Sequence, residues 1–380
     1  MAGFSLVASA FAFARFSFGY FVGFYFYTMV LGYLWLGRFT DLQYNGALAG
    51  LSAAASAVVF LLPALLLTSP IRPLFSLTAR SFDRLLTGLL ISGMAIGAIG
   101  AAYNFRLAAL EDMYRYRAVL EAPAAVNYLV TISSSALLPF AFAGFVARKA
   151  YLRGAAILVL LLFFYPISLN KTVLLTPLWI VTLLMLTHFF EARFVTILSL
   201  LGPMIVGIFL AALLGSKAEL YFSTVNFRMI AIPSIAMAIY NDFFATHDLT
   251  YFCQISVLKP FMQCPYRDQL GVVMQRTYAI GNFNASLFST EGIASVGTLF
   301  APVSVFVCGL IVALGNRLSA GLPDRFILIS GAIFPHILLN VPLTAVLLTH
   351  GAGILFFLWY ITPRSIFEPR AVSLPEAWAV

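Results

Sequence analysis

Charge is what this sequence has least of. Only 9% of its 380 residues are Asp, Glu, Lys or Arg, against about 25% in a soluble globular domain. That scarcity excludes a soluble enzyme on a membrane anchor, a disordered chain and a nucleic-acid binder. The apolar runs do not alternate with period two, which excludes a β-barrel. No internal repeat is evident, which lowers the case for an inverted-repeat transporter. The N-terminus is apolar but has no basic leader or clear cleavage site, so it reads as part of the mature chain. There is no Asp-x-Asp pair and no His, Asp or Glu cluster at metal-ligand spacing, so no metal or other cofactor is expected.

What remains is apolar and aromatic. Hydrophobic residues make up 62%, with 37 Phe and 17 Tyr, and the mean hydropathy is +0.98. The fold class read from this is an all-α polytopic integral membrane protein, with the lipid bilayer as its solvent. A spanning helix needs roughly 20 apolar residues. About ten stretches qualify: 17–36, 46–68, 85–104, 125–147, 152–169, 172–190, 194–214, 296–316, 325–344 and 345–362. Asn170-Lys171 divides one close pair, and Asn340-Val341-Pro342 must turn the other. The Tyr20–Tyr27 and Tyr33–Trp35 clusters read as interfacial belt residues.

The net charge of +8 reflects where basic residues sit around the spans, not a polyanionic partner. Arg15, Arg72, Arg80, Arg84, Arg148, Lys149, Arg153, Arg193, Arg317, Arg325, Arg364 and Arg370 fall on one face of a ten-span arrangement. By the positive-inside rule both termini are cytoplasmic. The expected organisation is a seven-span bundle over 1–214, an external cap over 215–295, further spans over 296–362 and a cytoplasmic tail over 363–380. The loop Arg106–Glu121, on the outer side, mixes three bases with three acids and reads as a solvated helix.

The one long external loop lies between spans 7 and 8, and loops of such length are usually functional or disordered. Its aromatic residues argue for a folded cap. Within it, Met229–Tyr240 is apolar but too short to span, which predicts a re-entrant or interfacial helix. Arg228 and Asp242 stand at its two ends. Cys253 and Cys264 both fall in the cap, where they either form a disulfide or remain two buried thiols; their spacing does not decide. Cys308 lies in span 8.

The stretch Asn226-Phe227-Arg228 to Pro233, with Tyr240-Asn241-Asp242-Phe243-Phe244 after it, resembles an Arg–Pro–Tyr–Phe-Phe pattern of the bacterial O-antigen polymerases. These are the Wzy-type oligosaccharide repeat-unit polymerases. Gly281-Asn282-Phe283-Asn284 to Phe288 is similar to the family's Asn-Ala-Phe stretch. Glu291-Gly292 and Gly297 resemble its acidic-Gly pair and later glycine, and Ser168-Leu169-Asn170-Lys171 a short Ser-Lys/Arg element. The resemblance covers 168–310. It implies a GT-C-like, metal-independent glycosyltransferase that joins undecaprenyl-pyrophosphate-linked oligosaccharide units at the outer leaflet of a bacterial inner membrane. It leaves open whether a polysaccharide chain-length regulator binds.

Such a reaction displaces a lipid pyrophosphate from an anomeric carbon. It needs cations for the leaving group and a base for the acceptor hydroxyl. Arg228 is the first candidate for the pyrophosphate, because arginine binds phosphate bidentately and charge at membrane depth is costly; its plainer reading is snorkelling. Lys171 is a second phosphate candidate or an interfacial anchor. Arg276 suits a second phosphate or the donor sugar, or else an ion pair with Asp268 or Glu291. Tyr240 and Asn284 complete the substrate-facing set. Glu291, Asp242 and His247 are candidate bases; Glu291 equally reads as a first-turn helix residue favoured by the macrodipole. His188, His336 and His350 receive no role. Two other functions compete: an O-antigen ligase, which His247 keeps open, and a transporter or flippase of lipid-linked sugars, against which the nearly charge-free spans argue.

Overall fold

The computed structural model describes residues 2–109, 112–117 and 122–367. Glu121, at the end of the Arg106–Glu121 loop, lies outside the described residues, as do Glu111, Arg370 and the rest of 368–380. Among the described residues there are helices and no strands. Among the described residues, eight helices are long and apolar enough to cross a bilayer. They are α1 (Phe18–Phe39), α2 (Gly46–Leu66), α3 (Ala79–Tyr103), α4 (Ala124–Ala147), α5 (Tyr151–Ser168), α6 (Lys171–Phe189), α7 (Ala192–Phe243) and, later in the chain, Ser289–Ser319. At 1.5 Å per residue, the 21 residues of α2 cover about 32 Å, close to the hydrocarbon thickness of about 30 Å. The chain is a polytopic all-helical membrane protein.

Local chemistry explains where several helices begin. Ser17 accepts the Tyr20 N–H at 3.1 Å, Asn45 that of Leu48 at 3.0 Å, Thr78 that of Ser81 at 3.2 Å and Asn170 that of Thr172 at 2.9 Å. Each satisfies a first-turn donor that has no intrahelical acceptor. α1 is the hub, and here the structure corrects the sequence reading. Tyr20, Tyr25, Tyr27 and Tyr33 are buried core residues, not an interfacial belt; only Trp35 of that set is well exposed. Their ring faces fill the space between helices, as in Tyr25 against His336 and Phe26 against Phe60.

The arginine-bearing loops do gather at one end of the bundle. Arg317 reaches Ser69 O, Arg148 grips Asp83 with two hydrogen bonds of 2.8 and 2.9 Å, and Arg325 lies against His188. Arg364 donates to carbonyls of Leu318, Ala320, Trp359, Tyr360 and Thr362. We call this end the basic face.

Three segments depart from the ten-span expectation. First, α7 is two arms joined at Gly215, whose φ of +55° and ψ of −128° break the helix. The second arm, 219–243, is longer than the short helix expected within the cap. It packs back on the first through Tyr221 to Pro203 O and Asn226 to Met204 O, at 3.0 and 2.7 Å. It ends where Gln43 N donates to Asp242 at 2.7 Å, so it starts and finishes away from the basic face.

Second, the expected span 296–316 is only the long limb of a hairpin. After the short cap helix α8 (Leu270–Tyr278), the chain enters α9 (Ser289–Ser319), which reverses at Gly297, with φ +79° and ψ 165°. The space a Cβ would take at Gly292 is bounded by Ala301 and Ser304 at 3.0–3.1 Å, so the limb 289–296 lies along its partner. Phe288, just before it, stacks on Phe60 with centroids 5.1 Å apart, which puts the limb's start inside the bundle. Third, the expected spans 325–344 and 345–362 are not continuous helices. They are four short ones, α10 (Asp324–Ser330), α11 (Phe334–Leu338), α12 (Leu343–Leu348) and α13 (Ala352–Ile361). Pro335 and Pro342 remove backbone donors there, and Gly351 takes φ +80°. The freed groups find partners across segments: Leu287 N donates to Leu339 O at 2.9 Å. Irregular backbone at this depth survives only where it is so covered by protein.

Candidate functional site

The end of the second α7 arm gathers three segments through three consecutive residues. Successive helical residues point about 100° apart, so Tyr240, Asn241 and Asp242 face different neighbours. Tyr240 is fully buried, and its hydroxyl donates to Phe283 O at 2.8 Å and Asn284 O at 3.2 Å. Asn241 Oδ1 accepts the Thr298 hydroxyl at 2.8 Å, just past the Gly297 reversal. Asp242 accepts Gln43 N on one oxygen and the Tyr278 hydroxyl on the other, at 2.7 and 2.6 Å. The cap, the α1–α2 loop and the α9 hairpin are therefore tied to one helix end.

Beside this knot lies a cavity of ≈ 360 Å³, lined by Tyr44, Asn45, Asn241, Gly297, Thr298 and Phe300 among others. Tyr44 hydrogen-bonds Tyr33, and burial raises its pKa, with the Asp242 charge acting the same way. Burial, then the bond to Asp242, raises Tyr278. Both phenols are held neutral as donors or acceptors.

Glu291 occupies the short α9 limb, partly buried and near Tyr240 and Cys308. Its carboxylate accepts the Leu343 N–H from the start of α12. It has no ion-pair partner among the described residues. The neighbouring Ser289 hydroxyl is buried without a hydrogen-bond partner.

Arg228 stands on a π-helical stretch, Ser223–Ala231, of the second α7 arm. Such widened turns recur at functional sites. Its guanidinium makes no hydrogen bond or ion pair among the described residues, and its charge is felt at His336. His336 itself sits between the rings of Tyr25 and Trp179, centroids 5.1 and 5.4 Å away. Two residues before Arg228, the Asn226 Oδ1 is buried without a partner. Twelve residues separate Arg228 from Tyr240, about 18 Å of helix.

The other expected site residues are placed apart. His247 is exposed; its Nδ1 lies 2.8 Å from Phe243 O, and its ring stacks on Phe243 at 3.9 Å, with no ion pair to Asp248 among the described residues. Arg276 is exposed and pairs with Asp268, the plainer of its two readings. Lys171 opens α6, at the end of that helix far from the basic face, and is not free of partners. Asn284 is exposed, and its Oδ1 lies with that of Asn282 against the Gly271 backbone, where no Cβ would fit. Cys253 and Cys264 form a disulfide with Cα atoms 5.4 Å apart, closing the cap loop. No group of three or more His, Cys, Asp or Glu able to hold a metal occurs among the described residues.

Sequence reading passed over Tyr278, Tyr44, Asn241 and Thr298. A polar residue in a loop carries no local sign of the partner it will meet from another segment. Tyr240, Asp242 and Gly297 were the members of this knot that the sequence singled out. No family model, curated protein or solved structure matches this chain.

Proposed function

We propose that this chain is a metal-independent glycosyltransferase that polymerises undecaprenyl-pyrophosphate-linked oligosaccharide units in a bacterial inner membrane, with both termini cytoplasmic. The observation that carries the reading is Arg228: an exposed guanidinium without a protein partner among the described residues, on a π-helical turn, with its charge felt at the half-buried His336. An exposed guanidinium with all its donors free can bind an anion without giving up a protein bond, and a lipid pyrophosphate is such an anion. In the reaction, the acceptor hydroxyl oxygen attacks the anomeric carbon of the growing chain and the bond to the lipid pyrophosphate breaks. The pyrophosphate leaves as an anion stabilised by Arg228, and the acceptor proton passes to a carboxylate. Glu291 is the better base, because Asp242 already accepts two strong donors and ties segments together.

The test is polymer formation from a purified lipid-pyrophosphate-linked repeat unit in the presence of EDTA. Wild type should yield a ladder of products. Arg228→Ala should lose about a hundredfold or more in rate, the scale for removing an electrostatic stabiliser, and Glu291→Gln should slow turnover without abolishing substrate binding. Transfer to lipid A–core without a ladder would instead indicate a ligase.

One observation favours a second reading. The reversal at Gly297 and the breaks between α10 and α13 place irregular backbone inside the bundle, as in transporters built on discontinuous helices. Labelled lipid-linked sugar crossing proteoliposome membranes, with no product formed, would select transport.

A further inference from the structure

At the basic face a second cavity, of ≈ 1070 Å³, opens far from the knot at Tyr240–Asp242 and plays no part in the proposed reaction. Its wall carries Arg15, Arg193, Arg325 and Arg364 against Glu191 and Asp324. These arginines are not equivalent. Arg364 is occupied, its donors tied to backbone carbonyls. Arg325 has a buried Nε with no hydrogen-bond partner, and its Nη2 meets only the His188 ring, at 3.2–3.4 Å. Arg193 is loosely held: its contacts to Ala12 O, Ala14 O and Glu191 are each 3.4 Å long. Arg15 is exposed and has no partner among the described residues.

Three guanidinium groups with surplus donors thus line one cavity, and the acids take up little of that surplus: Glu191 makes only the 3.4 Å pair with Arg193. Glu191 is mostly solvent-facing, and Asp324 makes no ion pair among the described residues. Burial raises the Asp324 carboxyl, with Glu191 adding to this and Arg193 opposing it. Two long helices also start here. The α7 N-terminus at Ala192 lacks a side-chain cap, so its first N–H groups point outward under a positive dipole end. Apolar Phe16, Phe190 and Phe367 share the wall with these donors. A cavity this large, lined by both cationic and aromatic residues, suits more than a bare anion.

We infer that the basic-face cavity binds a phosphate group borne on an apolar or glycerol-like body, held by Arg193 and Arg325 with Arg15 at its mouth. The shared chemistry is a phosphate mono- or diester; an anionic phospholipid headgroup and a soluble organic phosphate are its two sources. This inference does not rest on the glycosyltransferase reading.

The test uses the full-length chain purified in neutral detergent. Titrate phosphatidylglycerol, phosphatidylcholine, glycerol phosphate and inorganic phosphate separately, and follow bound lipid by native mass spectrometry and stability by thermal melting. Saturable phosphatidylglycerol binding, with a raised melting temperature and no effect of phosphatidylcholine, is expected. Losing one arginine near an anionic headgroup costs about fivefold in affinity, so Arg15→Gln should weaken binding by about that factor and R193Q/R325Q by about 25-fold. Competition by glycerol phosphate or inorganic phosphate at similar concentration supports the site and assigns it to a soluble phosphate; no competition assigns it to lipid. Equal binding of phosphatidylcholine and phosphatidylglycerol overturns the inference. If R193Q/R325Q does not fold, Arg15→Gln decides alone: because Arg15 is exposed and unpaired, an unchanged affinity in that variant also overturns it.

Discussion

Asn316 joins three helix ends, and replacing it with leucine tests how the bundle is locked. Its Nδ2 donates to Ala64 O at 2.8 Å, and its Oδ1 accepts Gly19 N at 2.5 Å. Ala64 lies in the last turn of α2 and Gly19 in the first turn of α1, so neither group has a partner within its own helix. Asn316 is 2% exposed. Leucine has similar volume, so Asn316→Leu removes both bonds without opening a void. Orphaning two buried backbone groups costs about 2–6 kcal/mol by soluble-protein experience. Interhelical hydrogen bonds inside membranes average nearer 0.6 kcal/mol and reach about 1.7, because the unfolded chain in a bilayer finds other partners. The adjoining basic-face cavity can also admit water to Asn316's neighbours. The lower scale wins, and the expected loss is about 2 kcal/mol. Unfolding in mixed micelles titrated with SDS measures it. The control is Ser319→Ala, which removes only a bond of 3.1 Å to Asn316 O within α9 and should cost under about 0.5 kcal/mol. Asn316→Leu within error of wild type, or a control equally damaging, would refute the idea that this amide locks the helix ends.

Three other outcomes are expected. Reducing the Cys253–Cys264 disulfide frees a loop with a sequence separation of 11, which costs about 3 kcal/mol by the loop-entropy model; faster amide exchange confined to the cap would show it. The fold keeps Tyr278 and Tyr266 protonated beyond their ordinary range, chiefly through burial and then through Asp242 and Asp248 respectively. The folded pKa values are therefore raised, so the stability they contribute is intact below about pH 10 and is lost as pH climbs beyond it. Tyrosinate absorbance alongside alkaline unfolding should show this, with Tyr278→Phe flattening the decline. Gly297→Val places a β-branched residue at φ +79°, where it is strained whatever the space; a loss of at least 1–2 kcal/mol in the same micelle titration is expected, while Gly46→Val, in open space at a helix start, should cost much less.

Much of the membrane architecture was legible because hydropathy is local. A run such as Gly46–Leu66 must bury its backbone polar groups in a helix whatever surrounds it, and Asn45 and Ser17 mark helix starts by capping donors a few residues away. The gathering of arginine loops at one end was legible in the spacing of basic residues between apolar runs, although the ten-span count behind it did not hold. Arg228 drew attention in the sequence as a cation at the start of the short apolar stretch Met229–Tyr240, and it has no hydrogen-bond or ion-pair partner among the described residues. The pairing of Cys253 with Cys264 was one of two possibilities, and only the approach of their backbones chose it.

Other features depended on contacts between distant segments. Residues 325–362 contain enough apolar residues for two spans, yet they break into short helices because Leu339 O and Leu343 N find partners at Leu287 and Glu291. The Tyr20–Tyr33 series had the composition of an interfacial belt, but α1 became the central helix and buried it. Asp242 looked like a free base until Gln43 and Tyr278 took both oxygens. By itself the sequence determined the solvent and many helix starts, since these follow from neighbouring residues, but not the number of spans. Tertiary structure alone decided where helices break, which tyrosines are core and which charges stay unpaired, because a buried polar group is settled by whatever partner the rest of the chain brings within 3 Å of it.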